Sequence, residues 1–270
     1  MIVTDGQVER WLREDLGHHD ATNDVPGETT GRLVATESGT IAGIEAAEAV
    51  FSSLGVEVTD RRADGERVDE GGELLRVEGP TRDVLRAERV AVNLLGHASG
   101  VATKTSEAVA AAREESDHVR IAGTRKTTPG LRGVEKRAIA VGGGDTHRLS
   151  LSHMVMVKDN QIAELGLEDA ISRTRERASF ATKIEVEVET PAEGRRAADC
   201  GADIVLFDNL PPEEVREGVT SLPEDVLAEA SGGISIADVP AYARTGVDVI
   251  SLGALTHSAP ALDLSFRTDE

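Results

Sequence analysis

Five basic side chains stand at notable positions in the middle of a chain that is acidic overall. Arg125 and Lys126 follow one apolar run, and Lys158 directly follows another. His147 and Arg148 come shortly after three consecutive glycines. A charged residue taken alone is most often solvated surface, but arginine forks and lysine ammonium groups suit carboxylate and phosphate oxygens. The clustering therefore predicts a site for a polyanionic small molecule.

Two carboxylates lie where buried strands are expected. Glu187 lies within the apolar run Ile184–Val188, and Asp208 directly follows the next run, Ile204–Phe207. Unpaired carboxylates are uncommon at buried positions, although a chance pair is easy to find in so acidic a chain. Two roles stay open on the residues alone: holding Mg²⁺ together with substrate phosphates, or proton transfer. The absence of a cysteine–histidine cluster argues against zinc.

Two short glycine motifs follow the last two apolar runs of the chain. They are Ser231-Gly232-Gly233 and Leu252-Gly253-Ala254. Glycine after a strand is often a plain turn residue. Consecutive motifs of this kind at the last two strands, however, are typical of barrel proteins that bind phosphate through backbone N–H groups. The pair therefore favours a phosphate site.

The second half of the chain has the rhythm of repeated strand–helix units. Helix-like segments alternate with short apolar runs of the kind expected for buried parallel strands. Polar residues that could act chemically follow nearly every run, and the strand ends of an α/β barrel converge on one face. We therefore expect a barrel rather than an open sheet. The predicted strands are Val119–Ala122, Met154–Val157, Ile184–Val188, Ile204–Phe207, Val226–Ala230 and Val249–Leu252.

Residues 1 to about 104 do not show the repeated strand–helix pattern. Short amphipathic pieces and glycine-punctuated segments predict an α+β domain with a few antiparallel strands. Apolar residues in Thr81–Gly100 recur at helical spacing, so a helix is expected there. No low-complexity linker separates this region from the strand–helix repeats.

The charge balance excludes several kinds of partner. The chain has 49 acids against 29 bases and a formal net charge of −20, which disfavours nucleic acid and anionic membranes. Only five of the bases are lysine, which suggests adaptation to high salt; a merely acidic enzyme is the alternative. A single cysteine, Cys200, excludes an internal disulfide. With no long apolar segment and no apolar signal core near the N-terminus, we expect a soluble, cytoplasmic protein.

Taken together, these motifs resemble those of the quinolinate phosphoribosyltransferase (nicotinate-nucleotide pyrophosphorylase) family. The resemblance extends over essentially the whole chain, and its most specific segment is Thr124–Arg132, TRKTTPGLR. Thr146 stands where the family usually has asparagine, and Gln161 where it usually has histidine. The other matching segments are Glu88–Leu95, Ser99–Thr103, Glu135-Lys136, Gly142–Gly144, His147-Arg148, Lys158–Asn160, Glu185–Glu189, Asp208-Asn209, Ser231–Ile234 and Gly253–Ser258.

The resemblance implies a fold and a reaction. It implies an N-terminal α/β sandwich domain at residues 1–104, which the C-terminal tail at 258–270 can join, and an incomplete TIM-like α/β barrel at 105–257. The implied reaction is decarboxylating phosphoribosyl transfer from phosphoribosyl pyrophosphate to quinolinate. Its products are nicotinate mononucleotide, pyrophosphate and CO2, a step of NAD biosynthesis. A homodimer or dimer-based assembly with active sites shared between subunits, and a need for Mg²⁺, are implied as well.

The resemblance also assigns roles to residues. Lys126, Glu187 and Asp208 are the implied catalytic residues, and the two acids are placed near the ribose and Mg²⁺, mainly through substrate phosphates and water. Arg89 is implied to reach the barrel of the neighbouring subunit. The implied substrate-binding set is Arg89, Thr124, Arg125, Lys126, His147, Arg148, Lys158, Glu187, Asp208, Ser231, Gly232, Gly233, Leu252, Gly253 and Ala254.

Two other functions are compatible with this scaffold. A related phosphoribosyltransferase would use nicotinate or another heterocycle, but the full basic cluster argues against a mono-anionic base because an unpaired buried cation is costly. A non-catalytic metabolite-binding protein is the second alternative. Binding alone would not require both Glu187 and Asp208.

Overall fold

The computed structural model describes residues 3–268. Contacts between Cα atoms divide these residues into two compact units. The first comprises residues 3–106, 129–142 and 258–268, and the second comprises 107–128 and 143–257. Residues 129–142 fall within the range predicted for the barrel, 105–257, but pack with the first unit. Every helix of the described residues is too short or too polar to cross a lipid bilayer.

The strands and helices alternate along most of the chain. The strands are β1 (Glu28–Ala35), β2 (Gly39–Thr40), β3 (Glu57–Arg61), β4 (Arg67–Val68), β5 (Glu73–Pro80), β6 (Arg120–Ala122), β7 (Val155–Val157), β8 (Ile184–Val188), β9 (Ile204–Asp208), β10 (Leu227–Ser231), β11 (Val249–Ser251) and β12 (Leu264–Thr268). The helices are α1 (Asp5–Leu16), α2 (Ile44–Ser53), α3 (Thr81–Arg113), α4 (Arg132–Val141), α5 (Asp159–Leu165), α6 (Leu167–Arg177), α7 (Pro191–Asp199), α8 (Pro212–Ser221), α9 (Val239–Ala243) and α10 (Ala254–His257).

The first unit is built on an antiparallel sheet in the order β12-β1-β5-β3. The tail strand β12 pairs with β1 from Gly31↔Thr268 to Ala35↔Leu264. Leu33, Leu75 and Val77 from this sheet pack in one core with Phe51 of α2. The predicted antiparallel strands of the N-terminal region are thus confirmed.

Helix α3 is longer than the predicted segment Thr81–Gly100. Its buried face continues through Ala102, Ala108 and Ala112, three small apolar residues that extend the helical spacing. Gly100 is required by a close approach, because a Cβ atom there would lie 1.9 Å from the carbonyl oxygen of Pro260.

The second unit contains a six-stranded parallel sheet in the order β6-β11-β10-β9-β8-β7. This order follows the chain from β7 to β11 and then returns to β6, which pairs with β11. A closed barrel would also join β6 to β7. Here one isolated bridge, Ala122↔Asp145, occupies that side. The sheet is therefore the incomplete TIM-like barrel that the sequence indicates, and the predicted fold class is confirmed.

Strand β8 alternates between apolar and polar residues, whereas β7 and residues 204–207 of β9 are continuous apolar runs of the kind expected for buried parallel strands. Ile184, Val186 and Val188 of β8 belong to the large apolar cluster that also includes side chains of the flanking helices. Glu185 and Glu187 of the same strand occupy the opposite face, because successive side chains point to opposite sides. The inward face of this incomplete barrel is thus lined partly by acids, whereas an ordinary barrel packs branched apolar residues there.

Candidate active site

The candidate residues of the second unit gather at the C-terminal ends of its parallel strands. Lys158 directly follows β7, Glu187 lies within β8, and Asp208 is the last residue of β9. Residues 124–126 come shortly after β6, and 252–254 directly follow β11. The strand directions therefore bring all of these residues to the same end of the sheet, the end that carries active sites in α/β barrels.

Arg125, which is partly buried, and Arg148, which is buried, form the cationic part of the site. Arg148 is 7% exposed, and its Nη2 group contacts the Met156 sulfur at 3.3 Å. Within the described residues, the Nε–H groups of both arginines are buried without a hydrogen-bond partner. Burial lowers the pKa of Arg148, and the positive charge of Arg125 lowers this pKa further. Since buried like charges with unpaired donors are costly, the two guanidinium groups suit an anionic ligand.

Lys158 and Glu187 form an ion pair across the neighbouring strands β7 and β8. The Lys158 side chain is 42% exposed, whereas Glu187 is 17% exposed. An ion pair with one solvent-exposed partner is worth little, so a substrate carboxylate could replace Glu187 as the partner of Lys158 at small cost. Lys158, which is predicted to bind quinolinate, therefore contacts Glu187, which is predicted to be a catalytic acid.

Asp208 is oriented by the residue that follows it. The Asn209 side-chain amide donates to Asp208 Oδ2 at 2.6 Å, and the Asn209 backbone N–H donates to the Ser231 carbonyl at 2.9 Å. Asn209 has a φ of 56°, in the left-handed region that asparagine tolerates. Gly232 has a φ of 95°, and a Cβ atom there would lie 2.4 Å from Asn209 Oδ1. Glycine is therefore required at 232 on both counts.

The glycine motif after β11 lies beside Lys126, and the motif after β10 lies beside Asn209. Gly233 also has a left-handed φ of 63°. A Cβ atom on Gly253 would lie 3.0 Å from Lys126 Cδ. The hydroxyl of Thr256 donates to the Lys126 carbonyl at 2.6 Å, and the Lys126 N–H donates to Thr124 Oγ1 at 3.0 Å. These bonds tie the Lys126 backbone, in the loop after β6, to helix α10, which follows β11.

His147 stands above two buried acids for which the sequence analysis predicted no role. Its Nε2 atom is 3.1 Å from Glu229 Oε2 on β10 and 3.6 Å from Glu185 Oε1 on β8. Burial works to lower the pKa of His147, but the hydrogen bonds and charges of the two glutamates outweigh it and raise the pKa to about 10. Burial raises the pKa of Glu185 to about 7. The sequence signal that could have identified Glu185 and Glu229 is that each lies on the polar face of its strand.

These three residues also have a spacing that metal ligands can adopt. The ligand atoms of His147, Glu185 and Glu229 all lie within 4.8 Å of one another, and in the described part of the chain they are the one such group of three or more. The predicted magnesium ligands, Glu187 and Asp208, are not part of it. The carboxylate oxygens of that pair nevertheless have the chemistry that Mg²⁺ prefers.

Arg89 lies on α3 in the first unit, whereas the other predicted site residues all belong to the second unit. Its side chain is 60% exposed, and its Nη2 atom is 3.5 Å from Glu88 Oε1. Such an exposed pair between adjacent residues contributes little to stability. The guanidinium group is therefore available to an anion.

An incomplete α/β barrel with buried cations, two carboxylates and two glycine loops at its strand ends defines an enzyme that handles phosphorylated, anionic substrates. The family models "Quinolinate phosphoribosyl transferase, N-terminal domain" and "C-terminal domain" match residues 19–99 and 101–267. The chain therefore belongs to the quinolinate phosphoribosyltransferase family.

Individual relatives agree with this assignment. A probable nicotinate-nucleotide pyrophosphorylase [carboxylating] of Methanothermobacter thermautotrophicus is 42% identical over 96% of this chain and 97% of its own length. The human nicotinate-nucleotide pyrophosphorylase [carboxylating] is 41% identical over 96% of this chain and 90% of its own. The crystal structure of NadC from Streptococcus pyogenes superimposes with a TM-score of 0.91 at 35% identity, covering 100% of both chains.

Proposed function

We propose that the protein transfers the phosphoribosyl group of phosphoribosyl pyrophosphate to quinolinate with loss of CO2, a step of NAD biosynthesis. The pyridine nitrogen attacks C1′ of the ribose, and the bond from C1′ to the pyrophosphate oxygen breaks. The resulting pyridinium ring then draws the electron pair of the C2–carboxylate bond onto C2. CO2 leaves, C2 takes up a proton, and nicotinate mononucleotide and pyrophosphate are the other products.

The observation that carries this proposal is the pair of like-charged arginines, Arg125 and Arg148, whose Nε–H groups are buried without a hydrogen-bond partner among the described residues. Quinolinate has two adjacent carboxylates, and Arg125, Arg148 and Lys158 together supply the charge to neutralise both. A mono-anionic heterocycle such as nicotinate would leave part of this buried charge unpaired, which is costly. The names of the Methanothermobacter and human relatives, a probable and a known carboxylating nicotinate-nucleotide pyrophosphorylase, support the same substrate.

Glu187 and Asp208 are proposed to act on the ribose side. As the pyrophosphate leaves, positive charge develops at C1′ and the ring oxygen, and nearby carboxylates stabilise that charge. Lys126, beside the loop after β11, is proposed to contact the pyrophosphate or the nucleophile's carboxylate. The glycine motifs offer backbone N–H groups to the 5′-phosphate, as at other barrel phosphate sites. Positioning and charge neutralisation are thus the main tasks of the chain.

We also propose that Mg²⁺ takes part, held by Glu187 and Asp208 mainly through substrate phosphates and water. Oxygen donors on neighbouring strands fit a hard cation. Because Glu187 is paired with Lys158, a water-mediated contact fits it better than a direct one. When bound, the ion would neutralise the leaving pyrophosphate.

The assembly and setting are further parts of the proposal. A homodimer would let Arg89 of one subunit complete the site of the other, as the family resemblance implies, and its 60% exposed side chain supports this. We propose a cytoplasmic location and adaptation to high salt, supported by the single cysteine and the net charge of −20.

The test is a substrate comparison on the purified protein. The protein is mixed with Mg²⁺, phosphoribosyl pyrophosphate and carboxyl-labelled quinolinate, and nicotinate mononucleotide and labelled CO2 are measured. We expect the two products in equal amounts. A parallel reaction with nicotinate should yield no nucleotide. Efficient product formation from nicotinate, or nucleotide without CO2, would overturn the proposal.

A further inference from the structure

His147, Glu185 and Glu229 form a buried cluster inside the barrel that the proposed reaction does not use directly. Glu185 and Glu229 are almost fully buried, and the His147 side chain is 11% exposed. The glutamates lie on β8 and β10, with β9 between them, and both are on the inward face. One ring nitrogen, Nε2, faces both carboxylates.

The backbone fixes the histidine in this place. His147 has a φ of 51°, a left-handed conformation that is unfavourable for a residue with a Cβ atom. Its backbone N–H donates to Asp145 Oδ1 at 2.7 Å. Residues in this backbone conformation cluster at functional sites, and the hydrogen bond between Nε2 and Glu229 Oε2 at 3.1 Å directs the ring toward the buried acids.

The chemistry of the ring nitrogens limits the protonation state. The Glu229 carboxylate accepts a hydrogen bond, so Nε2 must carry a proton to face it at 3.1 Å. In a neutral imidazole, Nδ1 would then be an acceptor, and its lone pair would repel an anionic substrate. Only the imidazolium offers Nε2–H to the glutamates and Nδ1–H to a ligand.

Buried charge also favours the cation. Two unsatisfied oxygens of Glu185 and one of Glu229 are buried in the described structure, and carboxylates of this kind need a positive partner. The other charged groups that face the cluster are Asp145 at the His147 N–H, Arg148 next in the chain, and Glu187 further along β8. Arg148 interacts mainly with Arg125 and the acids of β8.

We propose that Glu185 and Glu229 are positioning residues that hold His147 as an imidazolium, so that Nδ1–H is a permanently charged donor to an anionic oxygen of the substrate. The histidine thus binds and does not transfer protons. The oxygen belongs either to a quinolinate carboxylate or to a phosphate of phosphoribosyl pyrophosphate. This donor role rests on the proposed function, whereas the charge state does not. The upward shift in the pKa of His147, caused by the two glutamates against the effect of burial, agrees with it.

The first test measures the charge state alone. Side-chain ¹⁵N shifts of His147 are followed by NMR from pH 6 to pH 9, with assignment by His147→Gln. We expect imidazolium shifts throughout in the wild-type protein. In Glu229→Gln and Glu185→Gln, titration should move into this range. Glu217→Gln, an exposed acid of α8, removes the same charge and should leave His147 unchanged. A wild-type His147 that titrates near its ordinary pKa of about 6.5 overturns the proposal.

The second test reads out binding. The KM values of both substrates are compared between Glu229→Gln and wild type at pH 6.5 and pH 8.5. Losing the cation at high pH should raise the variant-to-wild-type ratio about tenfold for the substrate that His147 contacts. If the KM ratio rises for quinolinate, His147 contacts a quinolinate carboxylate. If it rises for phosphoribosyl pyrophosphate, His147 contacts a phosphate. A ratio that is equal at both pH values means a structural role only and overturns the proposal.

Two further outcomes are separable. About one equivalent of metal in the wild-type protein that Glu229→Gln lacks would make His147 a neutral ligand and contradict the proposal. If Glu229→Gln does not fold, Glu185→Gln serves for both tests. A protein that has a charged His147 but no turnover with either substrate would contradict the proposed function while supporting the assigned charge.

Discussion

Replacing Arg148 by methionine should raise the thermal stability of the protein while lowering its activity with quinolinate. In the structure, this arginine is buried, its Nε–H has no partner among the described residues, and its Nη2 group contacts only a thioether at 3.3 Å. Arg125 adds a like charge nearby. Without substrate, the guanidinium group is therefore a buried cation whose desolvation is offset only in part by the charges of Glu185 and Glu187, since its pKa remains lowered. Methionine would fill similar space without a charge.

The expected magnitudes follow from this environment. Replacing buried charged groups by apolar residues of similar volume is often neutral or stabilising by about 1–4 kcal/mol, unless the change leaves a close ionic partner unpaired. We expect the lower end, about 1 kcal/mol, because a sulfur contact and packing are also lost; this would raise Tm by about 2–4 °C. Losing a charge-assisted bond to a desolvated carboxylate costs about 2–5 kcal/mol. The kcat/KM for quinolinate should fall by a factor of about 30 or more.

The assay combines calorimetry with steady-state kinetics. Tm is measured without substrate, and kcat/KM is measured with quinolinate as the varied substrate. Arg216→Met on the exposed face of α8 is the matched control and should change neither quantity appreciably. A large loss of Tm in Arg148→Met, or a near-normal kcat/KM, would refute the argument that the arginine is held for an anion.

Four other predictions concern separate parts of the molecule. Glu187→Gln and Asp208→Asn should lower kcat by about a hundredfold, because both acids act on charge that develops in the transition state. Quinolinate affinity, measured by calorimetric titration, should change less than tenfold. Equal losses in kcat and in affinity would contradict this assignment. Tm should rise between low salt and 1 M KCl, where the Debye length falls to about 3 Å, and a flat profile would exclude salt adaptation. The stability contributed by the raised pKa of His147 is complete below about pH 6.5 and is lost as pH rises toward about 10, so denaturant titrations should show a decline between pH 7 and pH 10 that is smaller in His147→Gln. Mixed dimers of inactive Arg89→Ala and Lys158→Ala chains should regain as much as about a quarter of wild-type activity if sites are shared, whereas no recovery in confirmed mixed dimers would place Arg89 outside the partner's site.

The barrel could be predicted from the sequence because its signals are local. Apolar runs mark each strand, and the chain order of β7 to β11 is also their order in the sheet. The polar residues that follow the runs are visible at once, so Lys158 and Asp208 could be named in advance. Their placement at one end of the sheet follows from parallel strand direction alone.

The acids beneath the site could not be predicted in the same way. Glu185 and Glu229 acquire a role only because β9 separates their strands and the ring of His147 comes between them. That arrangement depends on the order of the strands in the sheet and on the position of the His147 ring, and neither is encoded in the local pattern of one strand. The packing of Pro129–Gly142 with the first unit is likewise a long-range effect, since no linker composition marks either end of that segment.

The pairing of β12 with β1 has a consequence for the order of folding. Gly31 and Thr268 are partners in one sheet, although the whole barrel is encoded between them. During synthesis all six barrel strands emerge before β12, so the barrel can form while the first sheet still lacks an edge strand. Contacts so distant in sequence form slowly. The first unit, although it begins at the N-terminal side, is therefore the last to be completed.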